Sequence, residues 1–344
     1  MKKFVFISNR IPVLENLKKC WNLIALEHQL PLEQYIFVEV TPGDNEENII
    51  KKISVLSDVN SIFVSWMGTA QDPMIQELRE YMDHAQVDYI IHFTSDTYAS
   101  SGFFDCDQAI KCTQFIDYGG EKNFSNFIKY FLYLYKVLRV NFMEPVALPW
   151  SGIYFPEASH IIDLNEYILH YWENDKPTIA IFFPRENWVW NNLSAMDQLI
   201  QCLKEKKINP LPIFTHWMRD KSKGIPGFED NLEKYCKYQG RVLPNALIQC
   251  LWFSVKVGRD VTNENFLEEL DIPIIHGETL LQDVSTWNDS LQGLSDSEIQ
   301  ANIIMPEFDG VIHGVPYATR DVDSCTGSNA IPLGIKALAE RACN

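Results

Sequence analysis

What most constrains this chain is an alternation of two residue patterns. Short apolar runs at residues 4–7, 35–40, 61–66 and 88–93 are separated by longer segments with helical spacing. In the first of these, residues 14–26, the side chains of Leu14, Leu17, Trp21, Ile24 and Ala25 fall on one helical face. Thr41-Pro42-Gly43 stops the second run, an acidic-headed helix follows over 44–56, and Asp72-Pro73 opens another that continues through Met82. Apolar strands joined by helices of this length need cover on both faces, which is the pattern of a parallel sheet between helical layers.

The same rhythm resumes after Pro177. Strands are expected at 178–183, 210–214, 246–253 and 272–276, with a further extended segment at 310–317. Helices are expected at 193–204, where Leu193, Met196, Leu199, Ile200 and Leu203 point inward, at 228–238 and at 263–270. The halves repeat an architecture and share no alignable repeat. We therefore expect an α/β fold of two Rossmann-like, flavodoxin-like parallel-sheet units, residues 1–145 and 146–344, with an interdomain cleft. Residues 95–121, rich in Ser, Gly and Asp, read as a long loop or irregular insertion. Residues 123–140 read as a helix with aromatics around most of its circumference (Phe124, Phe127, Tyr130, Phe131, Tyr133, Tyr135). Such a helix is buried between layers, the alternative being an aromatic shelf for a flat ligand.

Charge and composition exclude several classes. The 344 residues carry 29 basic and 46 acidic side chains, a net charge of −17, which repels nucleic acid and anionic lipid. No apolar run approaches the length of a membrane span, and the opening MKKFVFISNR has too short an apolar stretch for a signal peptide, so a cytoplasmic location is expected. The eight cysteines form no C-x-x-C pair, which fits reduced thiols rather than a disulfide frame or zinc knuckle, and no metal site is assigned. Neither G-x-G-x-x-G after the first strand nor G-x-x-x-x-G-K-[ST] occurs, and no Ser-His-Asp order is supported by spacing.

Residues 144–192 join the halves, and their second part has the grammar of a ligand site. A buried strand, 178–183, opens into a polar, aromatic turn at 184–192 before a helix. Ligands of open α/β sheets settle beyond the carboxyl ends of strands, so this turn is the first place to look. Arg185 there can fork two hydrogen bonds onto a carboxylate, or pair with Glu186. Asn191 and Asn192 can contact ligand or cap the next helix. Tyr154, Trp188, Trp190 and Trp217 offer aromatic faces, with core packing as their ordinary role. His216 and His276, with Glu278 and Glu307 near them and His313 as a third imidazole, are the titratable candidates at the expected strand ends.

A set of motifs then points to a family. LPWSGIYFP (148–156), KPTIAIFFPR (176–185) with its Asn191-Asn192 turn, KKINPLPIF (206–214), LDIPIIHGETL (270–280), GLSDSEIQANIIMPEFDGVI (293–312) and IPLGIKALAERA (331–342) follow in order. Together they resemble the large subunit of cobaltochelatase and its magnesium-chelatase relatives; the first half of the chain matches only in its α/β rhythm. The resemblance implies the tetrapyrrole-binding N-terminal portion of a metal chelatase of the ligase class, in cobalamin or related biosynthesis. It implies ATP hydrolysis on AAA+ partner subunits, Mg2+ and an inserted Co2+ or Mg2+ ion, and no cofactor held by this chain. Arg185, the aromatics and the histidines above become contacts to a polycarboxylate ring, with no catalytic residue assigned. Two departures stand out: Trp190-Asn191-Asn192 lacks the glycine common beside the family's turn asparagine, and HGVPYATRDVDSC replaces an acidic, proline-containing segment. The chain also ends at Asn344, where the family's subunit continues into its chelating body, so a fragment or truncated relative is expected. From other classes, the sequence suits a non-catalytic two-domain module of the periplasmic-binding type closing on a small ligand, or a two-Rossmann glycosyltransferase-like or reductase-like enzyme.

Overall fold

The computed structural model describes residues 2–40, 46–54, 59–93, 98–216, 219–221, 223–252, 254–255, 266–280, 282, 284–291, 293–319 and 329–343. The chain divides into two compact units, Met1–Leu148 and Pro149–Asn344.

Among the described residues, the first unit is built on β1 (Lys3–Ser8), β2 (Tyr35–Glu39), β3 (Val59–Trp66), β4 (Asp88–Phe93) and β5 (Tyr98–Ser101), in the order β2-β1-β3-β4-β5. The first four strands are parallel and β5 runs antiparallel on β4. Helices α1 (Ile11–His28), α2 (Glu46–Ser54), α3 (Pro73–His84), α4 (Cys106–Tyr118) and α5 (Glu121–Leu134) complete the unit. Residues expected to form a loop at 95–121 thus hold a strand and a helix. The Asp105 side chain accepts from Gln108 N and Gln108 answers the Asp105 N–H, a capping box that starts α4 despite the polar composition before it. The aromatic helix is shorter than its pattern, ending at Leu134, and Lys136 follows in the left-handed region at φ 54°. Apart from the exposed Tyr133, its rings serve the core: Phe127 and Phe131 pack edge-on to Phe63 at 4.9 and 6.2 Å, and Phe63 stacks on Phe6 at 5.2 Å. Pairs of this kind add about 0.5–1.5 kcal/mol each beyond area burial.

In the second unit, β6 (Ser151–Ile153), β7 (Thr178–Pro184), β8 (Asn209–Thr215), β11 (Ala246–Gln249), β12 (Ile274–Leu280), β13 (Ile312–Thr319) and β14 (Asn329–Ala330) form a sheet ordered β14-β13-β12-β11-β7-β8-β6. The two short strands β9 (Lys237–Tyr238) and β10 (Arg241–Val242) pair separately. The five central strands are parallel, while β6 and β14 run antiparallel at the edges. Helices α6 (Leu164–His170), α7 (Arg185–Val189), α8 (Ser194–Glu205), α9 (Phe228–Cys236), α10 (Val284–Asp289), α11 (Asp296–Ile299), a π-helical turn (Gln300–Ile304), α12 (Met305–Glu307) and α13 (Pro332–Cys343) accompany them. Read in chain order, the parallel strands stand as 2-1-3-4-5 in this unit, the flavodoxin-like arrangement, and as 2-1-3-4 in the first, where the fifth strand is antiparallel; each unit is Rossmann-like. The order reverses between β1 and β3 in one unit and between β7 and β11 in the other.

Strand lengths depart from expectation at two places that matter. β11 stops at Gln249, short of the expected 253, and β12 begins at Ile274 and continues to Leu280, well past the expected end at His276. The expected helix at 263–270 is, within the described residues, a 3-10 turn at Glu268–Leu270.

Candidate functional site

The carboxyl edge of the second sheet collects most of the sequence-nominated residues, in two groups. At the tip of β7 the expected open turn is instead α7, a short helix that begins at Arg185 directly after Pro184. Arg185 is 3% exposed, its Nε donates to the Pro149 carbonyl at 2.8 Å, and its guanidinium lies 4.3 Å from the centre of the Trp150 ring. That geometry makes it a clamp holding the chain before β6 against the tip of β7, in place of a surface pairing with Glu186. His216, just past β8, meets Trp150 edge-on at 5.8 Å, and its N–H donates to the Trp150 carbonyl at 3.1 Å. Trp150 is therefore the centre of this group, although sequence reasoning passed over it. Its place inside LPWSGIYFP, one residue before a strand, was the available signal.

The neighbouring aromatics are half-buried. Trp188 stacks on Phe214 at 4.5 Å with the rings 4° from parallel, and Trp190 ends α7. Asn191 is exposed in the left-handed region at φ 54°, so it supplies the geometry for which glycine is the usual residue. Asn192 is buried and its backbone N–H donates to the Asn187 carbonyl at 2.7 Å. The N-cap of α8 falls on Leu193, which makes no side-chain capping bond. Tyr154 donates to Asp197 Oδ1 at 2.8 Å, and burial is the main cause raising both pKa values. Trp217 lies outside the described residues.

The second group lies on β11, β12 and β13. Gln249 pairs with Phe182 on one side and His276 on the other, so Glu278, two residues on, is level with Pro184 at the sheet's carboxyl edge. His276 is fully buried within β12, not at a strand end. Its Nδ1 donates to Gln249 Oε1 at 2.6 Å, and its Nε2 lies 3.4 Å from Asn302 Oδ1 in the π-helical turn. Burial outweighs these bonds and lowers its pKa to about 4, so the ring is neutral at pH 7. Glu278 is 1% exposed, and burial raises its pKa to about 7 against the opposing field of Arg341. Its Oε1 lies 2.9 Å from Nδ1 of His313, without the alignment of a hydrogen bond. The Nε2 of Gln249 is also buried and has no hydrogen-bond partner among the described residues. Glu307 stands apart, beside a surface cavity of about 720 Å³ at the amino ends of β12 and β13 that is also lined by Phe308, Ile312 and Asp271.

In the first unit, Ser65, His92 and Asp117 fall in a line. Ser65 Oγ lies 3.5 Å from His92 Nδ1, and His92 Nε2 lies 2.9 Å from Asp117 Oδ1. The order is that of a hydrolytic triad, but Ser65 has no exposed surface, so no substrate reaches its hydroxyl.

A doubly wound, mostly parallel sheet defines the class, a Rossmann-like α/β protein, and the aromatic, cationic and titratable side chains gather at the edge where such sheets offer a crevice. Comparison gives the family: a profile described as CobN/Magnesium Chelatase matches residues 113–344, and the chain belongs to that family. It is 27% identical over 247 residues to an uncharacterised protein of Methanocaldococcus jannaschii, an alignment covering 69% of this chain and 20% of that one. It is 26% identical over 248 residues to magnesium-chelatase subunit ChlH of Oryza sativa subsp. indica, covering 65% and 17%. The catalytic subunit of cobaltochelatase from Mycobacterium tuberculosis superposes with a TM-score of 0.61 at 16% identity, over 99% of this chain and 27% of that one, a likeness of fold. The chain thus spans about a fifth of the length of the curated relatives it matches. The periplasmic-binding alternative is not favoured by these relationships. No helix among the described residues is long and apolar enough to cross a membrane.

Proposed function

We propose that this chain is the part of a chelatase large subunit that receives a tetrapyrrole and holds it for metal insertion. The observation that carries the reading is the Trp150–Arg185–His216 group beside Trp188 and Trp190, on a chain of the CobN/magnesium chelatase family. A flat macrocycle with carboxylate or amide arms buries its faces on half-exposed aromatic rings, and a cation held beneath Trp150 favours its negative charge. Arg185 acts here by fixing Trp150. Cobalamin biosynthesis is the pathway in which a cobalt-inserting relative of this kind works. ATP hydrolysed on AAA+ partners, with Mg2+, supplies the driving force, and Co2+ or Mg2+ is the metal substrate.

The test is an absorbance titration of the chain with hydrogenobyrinic acid diamide and, in parallel, a free-base porphyrin. The expected result is a saturable band shift in the low micromolar range, weakened about tenfold or more in Trp150→Ala, which corresponds to about 1.4 kcal/mol. No shift up to high micromolar ligand overturns the reading.

A further inference from the structure

The amino edge of the second sheet lies opposite the strand tips that carry Arg185 and His216. There the cavity of about 720 Å³ opens over the starts of β12 and β13, with Ile272, Pro273, Phe308 and Ile312 on its walls. Phe308 is 76% exposed and Ile312 44%, and Ile304, 46% exposed, lies one helical turn before Phe308, so an apolar ridge stands in water beside the hollow. The ridge is held there. Asp309, the next residue, is 5% exposed and takes the inner position, its carboxylate accepting from Ser254 Oγ at 2.5 Å and from Val255 N at 2.6 Å. The turn is closed by the N–H groups of Asp309 and Gly310, which donate to the Pro306 and Glu307 carbonyls at 3.0 Å each, and by Gly310 at φ 74°. Turning Phe308 inward would pull the buried carboxylate of Asp309 from both donors, so the ring is set outward in advance of any partner.

The rim selects what can cover this ridge. Glu268, Asp271 and Glu307 line the same cavity, and no Lys, Arg or His is among its lining residues. A second copy of this face would set carboxylates against carboxylates, and the net charge of −17 adds to that repulsion. A bare divalent cation would satisfy the carboxylates and leave Phe308 and Ile312 in water. A protein segment that carries both an apolar side chain and cations answers both features. We propose that this cavity is a docking site for a separate protein that presents a large apolar side chain flanked by lysine or arginine. The apolar group lies on Phe308 and Ile312, and the cations face Asp271 and Glu307. Because the site is on the edge away from the Trp150 group, a docked partner leaves those strand tips open, and the docking does not depend on the tetrapyrrole reading.

The test uses the protein at the length its gene encodes and a fluorescein-labelled helical peptide of leucine and lysine, with a leucine and glutamate peptide as its counterpart, read by fluorescence anisotropy. The lysine peptide should bind and weaken as salt is added, the glutamate peptide should not bind, and hydrogen exchange should slow on binding at 267–274 and 304–312. Phe308→Ala, and separately Asp271→Asn combined with Glu307→Gln, should each weaken binding about tenfold. Phe308→Ala removes a side chain that is mostly in water, and asparagine keeps the left-handed backbone of residue 271 at φ 50°, so the fold survives both. Glu77→Gln combined with Glu80→Gln, exposed on α3, removes the same charge from the first unit and should leave binding unchanged. Equal affinity in all variants would mean that net charge alone draws the peptide, and overturns the proposal. Absence of binding does the same, since it is the result expected if the protein's own polypeptide covers the cavity. So does competition by Ca2+ with Phe308→Ala unaffected, which marks a cation site. None of these outcomes bears on the absorbance titration above, so the two readings fail separately.

Discussion

At the carboxyl edge of the first sheet, Ser8 Oγ donates to the Ser65 carbonyl at 2.9 Å and accepts from Arg10 N at 2.9 Å. Asn9 there exchanges two bonds with the Met67 backbone, at 3.0 and 2.8 Å. At the matching edge of the second sheet, the Nε2 of Gln249 is orphaned and Glu278 meets His313 without a proper hydrogen bond. The strand order around the two switch points is shared, so topology does not set this difference. Each edge also carries a buried polar atom without a partner among the described residues, Glu39 Oε1 level with Ser8 in the first unit and Gln249 Nε2 in the second, so what sets the second apart is the buried Glu278 carboxyl held against His313. A buried unpaired polar atom costs about 1–3 kcal/mol, and such costs collect at working sites.

The largest test of this contrast is Phe63→Ala. Phe63 touches Phe6, Phe127 and Phe131, and its truncation should cost about 3–5 kcal/mol in the first unit. Hydrogen exchange read by mass spectrometry should show protection lost over β1, β3 and α5 and kept over β7, β8 and β11. Equal loss in both units would end the idea that each edge is stabilised by its own unit.

The second test is pH dependence. Glu278, raised from 4.5 to about 7, contributes stability that is complete below pH 4.5 and is lost as pH rises through 7. His276, lowered from 6.5 to about 4, contributes stability present above 6.5 and lost as pH falls through 4. Between pH 4.5 and 6.5 the slopes oppose and cancel. Glu278→Gln should therefore unmask stability that rises with pH in that window, and His276→Gln stability that falls. Each trend is on the order of 3 kcal/mol across its range at 1.36 kcal/mol per pKa unit. Urea midpoints measured from pH 4 to 8 decide it; flat profiles in both variants would show that neither group is shifted by its surroundings. Third, Gly314→Ala should cost about 1–3 kcal/mol, because a Cβ there meets the His276 carbonyl oxygen at 1.5 Å; urea midpoints measure it, and an unchanged midpoint would mean that β13 can draw back from β12 without loss.

The difference between the two edges also explains what could be read in advance. The parallel core of each unit follows from apolar runs alternating with helical spacing, which depend on local sequence. The edge strands β5, β6 and β14, four residues or fewer, have no pattern of their own, because their definition comes from hydrogen bonds to a distant neighbour. His276 looked like a strand end because glycine and glutamate follow it. In fact Gly277 continues the strand because a side chain there would press on Cys250 Sγ at 2.6 Å, and Glu278 is tolerated because it is held close to neutral. Arg185 reads as a surface fork because arginine seldom loses its water. The stack on Trp150, 35 residues earlier, and the bond to the Pro149 carbonyl hold it in the interior.

The smallest test concerns the turn where this chain departs from the family pattern. Asn191 sits at φ 54°, a conformation that costs most L-residues about 1–2 kcal/mol and that asparagine enters more cheaply. If Asn191 stands in for the family's glycine, Asn191→Gly should change stability by no more than about 0.5 kcal/mol, while Asn191→Val, β-branched and unable to bond locally, should lose about 1–2 kcal/mol. The side chain is exposed, so packing contributes little to either number and the backbone is read almost alone. Paired urea midpoints measure both. A valine variant as stable as the wild type would mean that α7 and α8 can be joined another way, and the clamp at the tip of β7 would then lose its fixed geometry.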